Sequence, residues 1–339
     1  MKSLAIRLAA AALAVWGFHV QAQIEKPDVH IAVGGKASFY YLPLTIAEQL
    51  GYFKEEGLNV KISDFAGGSV ALRAVVGGSA DVVSGAYEHT VSLQSKKQYF
   101  QAFVAQGRLP QIAFGVATSK AGSIKSFKDL KGLKIGVSAP GSSTHNLVKQ
   151  MLTLGGLDPN KDVSVIGVGL GATAIGALKS GQVDAVSNTD PVMTKLEREK
   201  DIRVIADTRT VKGTEAVWGA PLPAGCLYAP IEFTQKNPNT AQALANAIVR
   251  ADKWIAKASA TDVAKVVPES YLLGDRALYL FSFDKVKEAI SADGVISDAG
   301  AAATLKSLSA FDPAIKPGEI DLKRTYTNEF ARKANLKYK

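Results

Sequence analysis

The feature that most constrains this chain is internal repetition. Residues 59–85, NVKISDFAGGSVALRAVVGGSADVVSG, lie without a gap on residues 162–188, DVSVIGVGLGATAIGALKSGQVDAVSN, at an offset of 103. Val60 meets Val163, Gly68 meets Gly171, Gly78 meets Gly181, Asp81 meets Asp184 and Ser84 meets Ser187. Each copy reads as an apolar strand, a glycine turn, an alanine-rich helix ending in Gly, and a second strand after Asp. Upstream, HIAVGGKASFYYLPLTIAEQLGYFKEEGL and KIGVSAPGSSTHNLVKQMLTLGGL both read as strand, loop and helix, with a small insertion breaking the fixed offset. Each half therefore predicts a β-α-β-α-β unit, whose parallel strands need right-handed crossovers. Two copies are too few, and the period too long, for a solenoid. At 339 residues the chain also exceeds the usual size of one core. The expected fold is α/β with two lobes, each a mostly parallel sheet flanked by helices.

Residues 1–22 stand apart from that plan. Lys2 and Arg7 precede an apolar run from Leu8 to Phe18, followed by Val20, Gln21 and Ala22. This pattern reads as a secretory signal cleaved near Ala22. An uncleaved anchor is the other reading, but the run falls short of the ~20 residues a bilayer needs. Cys226 is the sole cysteine, so no internal disulfide and no lipoprotein anchor are expected. Losing residues 1–22 would lower the formal net charge from +9 to +7. The lysines are dispersed, without the clusters and interleaved aromatics of a nucleic-acid surface. A basic field suits a small anionic ligand, and it serves solubility equally.

In open parallel sheets, ligands sit beyond the carboxyl ends of the strands. Those ends are residues 34–41, 66–69 and 84–89 in the first half, and 138–144, 169–173 and 187–190 in the second. In KIGVSAPGSSTHNL, Gly141, Ser142, Ser143 and Thr144 open a helix. Its unpaired N–H groups and partial positive charge suit a carboxylate, sulfonate, nitrate or phosphate. An ordinary N-cap would use the same serines. In SFYYLP, one of Tyr40 and Tyr41 should line the cleft, and the sequence leaves open which. In SGAYEHT, His89 reads as a surface histidine, with a donor or pH-sensitive role as the alternative. In SNTDP, Asn188 can offer donor and acceptor, while Asp190 reads as the cap of a helix starting at Pro191.

Residues that would demand catalysis are absent from this pattern. There are four histidines, no metal-spaced His/Cys cluster and no G-x-S-x-G elbow. The stretch VGLGATAIG approaches a dinucleotide fingerprint but has Ala174 in the third glycine position. No catalytic residue, metal or cofactor is expected.

Taken together, YLPLTIAEQLGYFKEEGLNVKI, GGSVALRAVVGGSADVVSG, SIKSFKDLKGLKIGVSAPGSSTHNL, ALKSGQVDAVSNTDP, NPNTAQALANAIVRADKWI and TNEFARKAN resemble the periplasmic solute-binding proteins of ABC importers, in the nitrate/sulfonate/taurine-type family. The resemblance implies a type II periplasmic-binding fold, with residues 23–115 and 228–339 as lobe one and 116–227 as lobe two. It also implies a monomer that closes about a hinge on a small solute and delivers it to an inner-membrane permease. Its binding loops correspond here to Ser38, Tyr40 and Tyr41; Gly67, Gly68 and Ser69; Gly85 and Tyr87; Gly141, Ser142, Ser143 and Thr144; and Asn188 and Asp190. Trp218 is a further candidate. The glycine-serine helix start and paired tyrosines favour an organic sulfonate or carboxylate over bare nitrate, with Arg73 and Arg108 as candidate partners for its charge. Related proteins carry pyrimidine vitamin precursors, and some family enzymes make one from their own histidine. The cysteine-rich stretch expected of those enzymes is absent. An exported enzyme using the same cleft is the alternative from a different functional class.

Overall fold

The computed structural model describes residues 23–339, so the signal sequence read at residues 1–22 lies outside the described residues. Ten strands are formed there: β1 (Asp28–Val33), β2 (Asn59–Asp64), β3 (Val82–Ala86), β4 (Phe100–Ala105), β5 (Ile112–Ala117), β6 (Lys134–Val137), β7 (Ser164–Gly167), β8 (Ala185–Thr189), β9 (Ile202–Asp207) and β10 (Gly225–Pro230). They build two five-stranded sheets, ordered β2-β1-β3-β10-β4 and β7-β6-β8-β5-β9. The repeat is realised strand for strand, with β3 and β8 matching at the same offset as the sequence. The two repeated aspartates do the same work: Asp81 accepts from the His30 N–H and Asp184 from the Lys134 N–H, each at 2.9 Å.

Each sheet is mostly parallel, but its fourth place is antiparallel and comes from the other half of the chain. β5 follows β4 yet pairs with β8 and β9; β10 follows β9 yet pairs with β3 and β4. This exchange corrects the lobe boundaries drawn at 115/116 and 227/228, which would cut both strands in two. The chain instead changes sheets within residues 106–111 and 208–224.

Alternating side chains give each sheet two buried faces. In the first, Ile31, Val33, Phe103 and Leu227 pack with Leu244 and Ile248 of the Pro238–Lys257 helix. Ala32, Val83 and Tyr228 face the other way, toward Val91 and Leu308. In the second sheet, Phe114, Ile135 and Val137 meet Leu147, Val148 and Met151, while Ala113 and Val186 meet Ile175, Met193 and Leu196. With both faces covered, the strand ends are what remains for function.

Candidate functional site

The two sets of strand ends face each other and touch. Ser38 caps the short Phe39–Tyr41 turn, its hydroxyl accepting from the Tyr40 N–H at 3.1 Å and lying 2.7 Å from the Thr189 hydroxyl. The Phe39 N–H donates to the Asp190 carbonyl at 3.2 Å. Opposite, Ser142 stands at the N-cap of the Ser143–Leu154 helix but makes no side-chain cap. Its hydroxyl instead reaches across: it accepts from the Ser69 N–H at 3.0 Å and donates to the Ser69 hydroxyl at 3.1 Å, which donates to the Pro140 carbonyl at 2.9 Å. Close backbone approach needs glycine at Gly67, where a Cβ would come within 2.9 Å of the Ala139 Cβ. Gly141 has φ +86°, the left-handed region.

His89 is buried at this seam, which corrects its reading as a surface residue. Its Nε2 lies 3.3 Å from the Gly141 carbonyl and its Nδ1 2.8 Å from the Tyr228 hydroxyl. A carbonyl only accepts, so Nε2 carries the proton and Nδ1 takes the tyrosine's. Burial lowers its pKa to about 4, partly opposed by the Gly141 hydrogen bond.

Between the faces lies a small cavity of about 20 Å³, lined by Tyr40, Tyr41, Gly68, Ser142, Ser143 and Thr144 together with Ile112, Ser138, Leu170 and Thr189. Both tyrosines line it, where the sequence led us to expect one. A neighbouring hollow, also about 20 Å³, shares Ile112 and Ser143 with it and is lined by Glu88, Asn146 and Trp218. Larger hollows of about 550 and 570 Å³ lie elsewhere, near Phe127 and Gln101, remote from these strand ends.

The cavity is rich in unspent donors. The Ser143 and Thr144 N–H groups open a helix and have no acceptor within it. The Gly141 N–H is used, donating to His145 Nδ1 at 3.0 Å. The Tyr40 hydroxyl and the Trp218 Nε1–H are buried without a partner. The Ser143 hydroxyl lies beside both the Tyr40 hydroxyl and the Glu88 carboxyl. Burial raises the Glu88 carboxyl above the ordinary range, and the hydrogen bond from Asn146 and the nearby Ser143 hydroxyl pull it back. Among the described residues, no cluster of three or more His, Cys, Asp or Glu is placed to hold a metal ion.

Four expected residues are placed elsewhere. Gly85 lies within β3, where a Cβ would strike Val83 and the Tyr228 ring. Tyr87 turns into the core and pairs with the Thr325 hydroxyl at 2.7 Å. Asn188 is buried and spends its amide on the Gly169 carbonyl at 2.9 Å and the Thr189 N–H at 2.9 Å, bracing the loop rather than lining it. Asp190 stands one place ahead of the N-cap, which is Pro191 of a helix running Val192–Arg198, so it is not the cap expected; one of its carboxylate oxygens still accepts from the Thr194 N–H in the first turn at 2.7 Å, while the other pairs with buried Arg209 at 3.2 Å. Arg108 lies at the surface, its Nε donating to the Glu288 carbonyl at 2.7 Å, and Arg73 is exposed, so neither reaches the cavity. Glu88, Leu170 and Thr189 fall within the strand ends named from the sequence, residues 84–89, 169–173 and 187–190, but were given no ligand role there, and Ile112 and Asn146 were not singled out. Glu88 was within reach, since it starts a helix directly after a strand end.

Residues 22–267 match the NMT1-like family. A solved structure from Bordetella bronchiseptica RB50 is 58% identical, covers 93% of this chain and 99% of its own, and superposes with a TM-score of 0.92. The fold is shared with the alkanesulfonate-binding protein SsuA from Xanthomonas axonopodis pv. citri, 19% identical, at a TM-score of 0.68 over 90% of this chain and all of that one. It is shared also with the periplasmic nitrate-binding protein NrtA from Synechocystis PCC 6803, 15% identical, at a TM-score of 0.69 over 93% and 90%. Among curated relatives, a Bacillus subtilis (strain 168) protein, YtlA, whose name calls it a binding protein, is 24% identical over 69% of this chain and 68% of its own. A 4-amino-5-hydroxymethyl-2-methylpyrimidine phosphate synthase from Schizosaccharomyces pombe is 31% identical, but over only 30% of this chain and 29% of its own. With the family matched over most of the chain, and a fold of two facing sheets common to sulfonate- and nitrate-binding proteins, this chain belongs to the NMT1-like family.

Proposed function

We propose that this protein is the extracytoplasmic solute-binding component of an ABC importer, a non-catalytic monomer that closes on a small organic anion of the sulfonate or carboxylate class and hands it to a membrane permease. The observation that carries the reading is the cavity itself: a helix start and the buried, unpartnered Tyr40 hydroxyl, from opposite sheets, point donors at one small space. Buried donors without partners are costly, at about 1–3 kcal/mol each, so an acceptor between them has affinity to gain. At about 20 Å³ the cavity in this closed arrangement has room for about one water, so an organic ligand enters with the lobes further apart, and Tyr41 and Leu170 then supply apolar walls for its body. The ligands named for SsuA and NrtA are oxyanions, in keeping with this class. The assigned contacts are Tyr40, Tyr41, Gly68, Ser142, Ser143 and Thr144, with Ser38, Gly67, Ser69 and Gly141 holding the lobes together around them.

A second reading, capture of a pyrimidine vitamin precursor, draws on the partial match to the pyrimidine phosphate synthase. Both readings are tested together. Purified protein is screened by thermal shift against alkanesulfonates, carboxylates, nitrate and hydroxymethylpyrimidine, then by calorimetry on the hits. A stoichiometric upward shift with an organic anion and no loss of ligand is the expected result. Consumption of the ligand would make it an enzyme instead. Ser143→Asp places a like charge at the helix start and should abolish anion binding; retained affinity would remove that helix from the site.

A further inference from the structure

We propose that the second lobe carries a separate site, at the far end of the Ser143–Leu154 helix from the cleft, for an amphipathic anion: an acidic head joined to an aliphatic tail. This site does not depend on what the cleft holds. The hollow of about 550 Å³ near Phe127 lies there, within the range of small-molecule sites. The helix opens at the cleft and has 12 residues, so at about 1.5 Å per residue Leu154, its last, stands about 16 Å from Ser143. Ile124, Phe127, Leu154 and Ile205 give the hollow its apolar wall. Leu154 is 58% exposed although the same helix buries Leu147, Val148 and Met151. Apolar surface gathered in a concavity, unlike a lone exposed leucine, marks a place where something binds.

Charge decides the rest of the guest. Lys125, Lys128 and Arg203 stand around the same hollow, and no acidic residue lines it. Among the described residues none of these three forms a salt bridge, whereas Lys120 and Lys131, on either side in the chain, pair with Asp184 at 3.5 Å and Asp162 at 3.2 Å. Asp129 is spent on the backbone, accepting from the Lys125 and Ser126 N–H groups at 2.8 and 2.7 Å, which fixes the turn that carries both lysines. Arg203 Nη2 donates to the Ile124 carbonyl at 2.5 Å, holding the guanidinium against the apolar wall with Nε and Nη1 unused. Gly155 lets the turn and the helix end meet, since a Cβ there would come within 2.7 Å of the Phe127 backbone. The hollow is therefore formed before any guest arrives. Walls of one charge sign over low-dielectric side chains concentrate an anion, whose head takes charge-assisted hydrogen bonds while its tail covers Leu154. The occupant is a free amphiphile rather than a bilayer, because the apolar groups line a concavity that a single tail can enter, with Ile124 only 5% exposed.

The test is calorimetry with octanoate, propionate and 1-octanol. Octanoate should bind the wild type at least about tenfold more tightly than propionate, which lacks the tail, or 1-octanol, which lacks the charge. Leu154→Glu puts a like charge on the apolar wall, and Lys125→Ala with Lys128→Ala removes two cations; each should weaken octanoate by about tenfold or more. These side chains are exposed, so ligand-free melting temperatures should stay at the wild-type value and report folding separately. Ser143→Asp, which blocks the cleft, should leave octanoate affinity unchanged. Octanoate binding that Ser143→Asp abolishes and Leu154→Glu spares belongs to the cleft and overturns the inference, as does equal affinity for the three probes or no binding of octanoate. In sedimentation with phosphatidylglycerol vesicles the protein should remain in the supernatant; sedimentation with them that Leu154→Glu abolishes would make the hollow a membrane-contact face and overturn the free-amphiphile site.

Discussion

Tyr40 illustrates how a single side chain can be set for an outside partner. It is buried, it packs edge-on to Tyr41 with ring centroids 4.9 Å apart, and its hydroxyl has the Ser143 hydroxyl close by but no partner at hydrogen-bond geometry. Removing a buried hydroxyl that lacks a partner relieves a desolvation cost, so Tyr40→Phe should leave the ligand-free melting temperature unchanged or raised. Ligand affinity should fall by about tenfold, measured by calorimetry, because a bound acceptor loses that donor. Residues like Ser142 and Ser143 were legible in the sequence, since small hydroxyl residues after glycine at a strand's end leave few other arrangements. The turn of Tyr87 into the core was not. The strand alternation ends at Ala86, and the turn into the Glu88–Ser95 helix sends Tyr87 to the core and Glu88 to the cleft. Neither residue type announces that choice, because a tyrosine fits a cleft wall as well as a core. Asn188 failed for a related reason: its amide suits a ligand, but the adjacent loop's carbonyl takes it first.

Among the elements, the segment leaving β9 carries the most concentrated charge. Arg209 is buried and paired with Asp190 at 3.2 Å, Glu197 at 2.8 Å and Asp207 at 2.5 Å, which hold its guanidinium firmly protonated despite burial. Glu197 also pairs with Lys285 at 2.8 Å, on the Arg276–Val286 helix that follows the return to the first sheet, so the cluster ties one lobe to the other. Arg209→Leu leaves the Asp190 carboxylate buried without its cation and should cost about 3–5 kcal/mol, read from the denaturant midpoint. The repeated strands and helices were legible because hydrophobic periodicity and glycine placement recur at a fixed offset. The crossings at β5 and β10 were legible only through the family resemblance and only to within a few residues, since nothing local in IAFGVA or GCLYAP specifies which sheet receives it. Arg209 escaped notice for the same reason: Asp190 and Glu197 become its neighbours only through the fold.

At the level of the complete molecule, His89 makes the closed arrangement sensitive to acid. Its proton sits on Nε2 facing the Gly141 carbonyl, and Nδ1 must stay unprotonated to accept from Tyr228. Its pKa in this structure is lowered to about 4 by burial, from an ordinary 6.5; that of His145 is likewise lowered to about 4, by burial and by Lys149. A depressed value means that the solvated chain binds the proton more readily. The stabilising effect is therefore complete above about pH 6.5 and is lost as pH falls toward 4, at up to about 1.4 kcal/mol per pH unit for each histidine within that window. Melting temperature and ligand affinity should both decline between pH 7 and 5, and His89→Gln should flatten part of the decline in a pH series of thermal melts. The exchange of β5 and β10 has an effect on timing as well. During synthesis the second sheet has all five strands once residue 207 is made, whereas β4 has no neighbour in its own sheet until residues 225–230 emerge. The half of the protein translated first must be the last to complete its fold.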